Sequence, residues 1–250
     1  MKKAVIAALI AAWYGATVHA EGFGGLEAAS TRDDNFNGAP AGSAKTAESM
    51  VTYSGYLGGY WPSADRRSAW VLKADAAITR LDAFDVFDNK TLGLSTGVFH
   101  AFSHSNSMTA TVGAQTKRFD DKARDYDVYA LQLSLKQKTS NSFFFREGLA
   151  LEKASAEVRS NEYDGAGVNV SFNWTPSRSS LLTLGLGRTE RDYEVTVANK
   201  RTNTFATLGF VQQFGRYVYL RGGVTRQNNR TNAGAEYDSN VYTVGLGVSL

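Results

Sequence analysis

Apolar residues recur at every second position through nearly the whole chain, and this period limits what the chain can become. Trp70, Leu72, Ala74, Ala76 and Ile78 share one face of a run whose other face holds Lys73, Asp75, Ala77 and Thr79. Tyr129, Leu131, Leu133 and Leu135 repeat the pattern opposite Ala130, Gln132, Ser134 and Lys136. Val168, Val170, Phe172 and Trp174 do so opposite Gly167, Asn169, Ser171 and Asn173. Successive side chains of a strand point to opposite faces, whereas a helix would scatter these residues around its axis. Helix is therefore excluded as the main element.

The runs predict about twelve strands, an even number as in single-chain bacterial membrane barrels. They are placed at 23–32, 48–61, 68–81, 91–103, 108–119, 126–138, 143–154, 165–174, 181–194, 202–213, 217–228 and 239–250. The run at 143–154 is the least regular, because Glu147 and Lys153 fall among its apolar residues. Connections alternate in length. Those at 62–67, 104–107, 139–142, 175–180 and 213–216 are short, and those at 33–47, 82–90, 120–125, 155–164, 195–201 and 229–238 are longer and polar. Tight turns on one rim and loops on the other are the pattern of a transmembrane barrel, with the turns in the periplasm.

Alternation alone does not say which face is inside. Size does: a twelve-stranded interior is too wide to be filled by the Gly, Ser, Thr and Ala that oppose the leucines, so a wet lumen and an apolar outer face are expected. Tyr56, Tyr60, Trp61, Trp70, Trp174, Phe214 and Tyr217 fall near strand ends, where interfacial aromatic girdles belong. The expected fold is all-β: a transmembrane up-and-down antiparallel barrel of one domain, residues 21–250. Residues 1–20 read as a signal peptide, with a basic "MKK", a short apolar stretch and Val18 and Ala20 at the cleavage positions. Outer-membrane localisation follows, with outer-membrane lipid, lipopolysaccharide and the barrel-insertion machinery as partners.

Cleavage removes Lys2 and Lys3 from a chain of 27 basic and 24 acidic residues, and the near-neutral remainder has no basic run to suggest nucleic-acid binding. Cysteine is absent, which excludes a disulfide framework and thiolate chemistry. His100 and His104 are the histidines of the expected mature chain, and neither has the serine two residues on that would put a Ser–His pair on one face of a strand. Asp33, Asn35, Asn37 and Gly38 begin like a calcium loop, but Ala44 stands where the closing glutamate should be, and a polar surface loop is expected. No metal cluster, P-loop, triad or nucleotide fingerprint appears. The expectation is a non-enzyme without cofactor or metal.

The remaining chemistry is in the lumen. With the apolar faces outward, Lys73, Lys117, Lys136, Arg146 and Arg221 point inward with Asp75 and Glu152. A basic excess would favour anions that pass or bind, and cross-strand pairing that merely fills the lumen is the competing expectation.

Three segments carry a family resemblance. "RDDNFNGAP" (32–40) resembles the D-x-N-x-N-x-A-P element near the start of the barrel in the surface lipoprotein assembly modifier family. "GRTERDYEVTVANKRTNTFATLGF" (187–210) is similar to its R-x-Y…K-R hairpin. Residues 214–250 resemble its closing hairpin, with Gln227-Asn228-Asn229 and Tyr237-Asp238 at the S-N and Y-D elements. The resemblance concerns the barrel part, without the family's N-terminal helical-repeat domain. It implies export or surface display of lipoproteins, with a lipoprotein client. A small passive or anion-preferring channel is the alternative. Finally, Tyr242, Val244, Leu246, Val248 and Leu250 alternate up to the terminus, like the signal read by outer-membrane insertion machinery.

Overall fold

The computed structural model describes residues 21–40, 43–194 and 199–250. The expected signal peptide lies outside them. The strands are β1 (Glu21–Asp33), β2 (Glu48–Pro62), β3 (Ser68–Leu81), β4 (Asn89–Ala101), β5 (Asn106–Phe119), β6 (Tyr126–Lys138), β7 (Phe143–Ala156), β8 (Tyr163–Ser177), β9 (Ser180–Tyr193), β10 (Lys200–Phe214), β11 (Val218–Thr231) and β12 (Glu236–Ser249). Each pairs antiparallel with its neighbour in sequence, and β12 returns to β1 to close a barrel. The closing register runs from Gly25 opposite Ser249 to Asp33 opposite Val241. Closure satisfies every ladder and leaves no edge, the condition for a sheet in lipid.

The apolar faces point out. Leu57, Leu92, Leu94, Leu131, Leu133, Leu149, Leu151, Val168, Leu184, Leu208 and Leu246 are all exposed, while the buried apolar residues are Ala29, Ala39, Ala69, Ala154 and Tyr163. A water-soluble barrel would invert this arrangement. An outer aromatic ring marks the turn end: Trp61 pairs across strands with Trp70, and Phe143 stacks on Trp174 with ring centroids 5.9 Å apart. Tyr53, Tyr129 and Tyr242 are exposed toward the other end. Tyr53 lies eight residues along β2 from Trp61, roughly 20 Å of barrel height for a tilted strand, close to the apolar band of a membrane barrel.

Two expectations are corrected. Tyr56 and Tyr60 do not belong to the outer girdle. Tyr56 pairs with Gly25 and Asp75 on the inner face, and Tyr60, an even number of residues along the strand, shares that face. The contrast between turns and loops is also smaller than the polarity of the sequence suggests. The connection read as 229–238 is only 232–235, because β11 and β12 continue outward as paired polar strands. Arg230 and Glu236 extend that ladder with an ion pair of 2.8 Å, as Lys153 and Asp164 do at 3.1 Å for β7 and β8.

The irregular seventh run is a full strand, and Glu147 lies on its outer face between Leu135 and Val170. A carboxylate among lipid-facing side chains is unfavourable, though less so than a basic group. Glu147→Leu is expected to raise stability by about 1 kcal/mol in reversible unfolding from lipid vesicles. A decrease would contradict its lipid-facing placement.

The loop end is organised by hydrogen bonds. Asn35 is 1% exposed. Its side-chain amide donates to the Ala39 and Asp238 carbonyls, and its Oδ1 accepts from the Ala39 N–H. Asp34 accepts from both the backbone and the side-chain amide of Asn240 at 2.7 Å. Burial opposes ionisation of Asp34, but these donors hold its carboxyl below the usual range. The calcium-like residues are thus turn formers that clip the first loop to β12. Phe36 packs on Phe84 and Phe87 of the next loop, which Glu48 anchors by accepting from the Asp82 and Ala83 N–H groups.

Candidate functional site in the barrel lumen

Alternation turns every second side chain of each strand into the lumen. Inward at the middle of the barrel, Glu27 accepts from Arg221 Nε at 2.7 Å and from the Tyr219 hydroxyl at 2.9 Å. Lys73 lies 3.5 Å from Asp75 and over the Tyr56 ring. Tyr219 and Arg221 occupy the space over Gly247 and Gly245: a Cβ at Gly247 would stand 2.5 Å from the Tyr219 hydroxyl. This explains why the last strand alternates large outward residues with minimal inward ones. These inward cations are paired, Arg221 across strands with Glu27 and Lys73 along its own strand with Asp75.

Nearer the loop end, Arg191 donates to Glu152 at 2.9 Å and stacks over Tyr163 at 4.6 Å. Tyr163 packs on Tyr193, over which Arg201 lies at 4.8 Å. Lys117 stands on the same inner face with its ammonium 5.0 Å from the Phe119 ring centroid. Among the described residues neither Lys117 nor Arg201 has a carboxylate within ion-pair distance. The result is an arc of aromatic faces and positive charge with Glu152 as its acid.

At the turn end Lys136 and Arg146 stand directly opposite each other in the β6–β7 register. With Lys138 they line a cavity of about 710 Å³ whose walls include Ser107, Thr109 and Ser134. No carboxylate among the described residues pairs with any of the three cations.

All the inward candidates, Lys73, Asp75, Lys117, Lys136, Arg146 and Arg221, lie on lumen faces, but they divide into paired and unpaired groups. Sequence reasoning missed Arg191, Arg201 and Lys138. The parity that identified Arg221 and Lys136 places them too. It also missed one contact that parity cannot reveal: Ser68 Oγ lies 2.8 Å from His100 Nδ1 across β3 and β4 on the outer face. Among the described residues no carboxylate hydrogen-bonds to the other ring nitrogen, as a hydrolytic triad requires. His104 lies in the β4–β5 turn and lines the turn-end cavity. Tyr242, Val244, Leu246, Val248 and Leu250 are exposed on the outer face of β12 and its extension.

No protein-family model matches the chain, and no curated protein matches its sequence. Solved structures do resemble it. An outer-membrane channel from Pseudomonas putida F1 superposes with a TM-score of 0.70 at 12% identity, covering 94% of this chain and 97% of that one. The KdgM porin in complex with disordered oligogalacturonate gives a TM-score of 0.51 at 8% identity, covering 90% and 99%. The β domain of the Bordetella autotransporter BrkA gives 0.52 at 12% identity, covering 91% and 98%. The chain thus has the fold of outer-membrane barrels, shared by channels and an autotransporter β domain.

Proposed function

We propose that the chain is a small outer-membrane channel that prefers anions, with its turn end in the periplasm. The observation that carries this is the unpaired inward charge: Lys117 and Arg201 at the loop end, and Lys136, Lys138 and Arg146 at the turn end, without carboxylate partners among the described residues. Rings and arcs of basic side chains raise the local concentration of anions and repel cations. Likeness to outer-membrane channels supports the fold for this role. The aromatic faces beside the cations suit an acidic saccharide, the class of ligand held by the KdgM porin.

The test is planar-bilayer conductance of the purified barrel under a salt gradient. A steady open pore with an anion-selective reversal potential is expected. Replacing Lys117 and Arg201 with glutamine should move that potential toward zero. A sealed barrel, or cation selectivity, would overturn the proposal.

One observation favours a second role, surface display of lipoproteins. Two of the resembling elements meet in space: Asn35 of the 32–40 element donates to the Asp238 carbonyl at 2.7 Å. Loss of a lipoprotein from the cell surface on deletion, with no conductance from the purified barrel, would select this role over the channel.

A further inference from the structure

The turn-end cavity gathers three inward cations, Lys136, Lys138 and Arg146, with no carboxylate paired to any of them among the described residues. Elsewhere in the lumen Arg221 has Glu27, and Arg191, which stands opposite Arg201, has Glu152 as an acid beside it. Lys136 and Arg146 face each other across the β6–β7 ladder with no paired acid among the described residues, with Ser107 opposite Lys136 on the other side and Ser171 opposite Arg146. Like charges directly opposite in a sheet are destabilising. Lys136 is held in place by the Phe144 ring, 4.4 Å from its ammonium. Lys138 follows two residues on, toward the mouth. The cations share their cavity with the hydroxyls of Ser107, Thr109 and Ser134. A planar guanidinium fork, a compact ammonium and several hydroxyl donors around one half-open cavity form a donor set that matches an oxyanion.

We propose that Lys136 and Arg146, with Lys138 at the rim, form a binding site for an oxyanion group bearing at least two negative charges, on a solute entering or leaving at the periplasmic mouth. The bound anion supplies the countercharge that the fold omits. Local conflict between stability and sequence is expected where a ligand resolves it. This deepens the anion-preferring channel by naming a subsite and the chemistry it holds, but binding there does not require an open pore.

The test is isothermal titration calorimetry on the folded barrel in detergent, with inorganic pyrophosphate and citrate as separate probes. Saturable binding of at least one probe is expected. Tighter binding of pyrophosphate would indicate a phosphorylated solute, and tighter binding of citrate a carboxylated one. Lys136→Gln combined with Arg146→Gln should weaken binding roughly tenfold or more, as expected for loss of charge-assisted bonds, and should raise the unfolding midpoint by removing the like-charge pair. Ser134→Glu, which adds an acid beside the pair, should abolish binding while leaving both cations in place. Lys153→Gln, on the outer face, should bind as wild type. No saturable heat at about 10 mM of either probe, a range of very weak affinity, would overturn the site, as would undiminished binding by the double variant or by Ser134→Glu. Absence of conductance would sink the channel and leave the calorimetric result intact. Anion-selective conductance without probe binding would sink the site alone.

Discussion

A chain ending at Asn240 is expected not to assemble. The deletion removes the segment of β12 that pairs with β1 from Gly25 to Asp33 and with β11 from Val218 to Thr225. Two ladders then lose their partners at membrane depth, where water cannot replace them. Each unsatisfied backbone group costs several kcal/mol in hydrocarbon, so the open form has no stable place in the bilayer. The same deletion exposes the inward lattice, because Gly245 and Gly247 make room for Arg221 and Tyr219. Heat-modifiable, protease-resistant barrel in the membrane fraction is expected to fall to background. Leu250→Phe should assemble normally, because Leu250 is 86% exposed and its N–H already closes onto the Gly24 carbonyl at 2.8 Å. Normal insertion of the truncated chain would contradict the account of closure.

The second large effect concerns the outer face. Leu133→Arg and Val168→Arg each place a guanidinium where the wild-type side chain is exposed to lipid, 36% and 55% respectively. Both lie between the two aromatic levels, so snorkelling to a headgroup is a long reach. The expected cost is roughly 2–4 kcal/mol near the midplane, read as a lowered unfolding midpoint in lipid vesicles. Ser95→Arg, facing the lumen between Lys73 and Gly113, should cost roughly 1 kcal/mol or less, because lumen positions tolerate charge. Equal effects at the outer and inner positions would contradict the assignment of faces.

Strand number, direction and facing were legible because each depends on a period that survives in a single sequence. The runs around Leu131 and Val168 differ from the observed strands by a few residues at most, and the irregular run at 143–154 became β7 despite Glu147. What was hidden had one of two causes. Where strands continue beyond the bilayer, apolar alternation stops, and Asn229–Thr231 and Glu236–Asp238 read as loop although ion pairs carry the ladder onward. Where function depends on register, parity is not enough. It puts Lys136 and Arg146 on one face but does not say that they stand opposite each other, nor that Arg221 meets Glu27 from the far end of the chain. Ser68 and His100 meet for the same reason. The resemblance in 32–40 had a physical meaning that spacing alone did not give: those polar residues form the clip that joins the first loop to the last strand.

The most direct measurement uses the absence of cysteine. Single cysteines placed in turn at Leu131, Gln132, Leu133, Ser134, Leu135 and Lys136, each carrying a small fluorophore, would report the surroundings of six consecutive positions of β6 in lipid vesicles. An outward apolar face and a wet, charge-lined lumen predict that Leu131, Leu133 and Leu135 are quenched by brominated lipid, and that Gln132, Ser134 and Lys136 are quenched by aqueous iodide. The reverse alternation, or no alternation, would contradict the account.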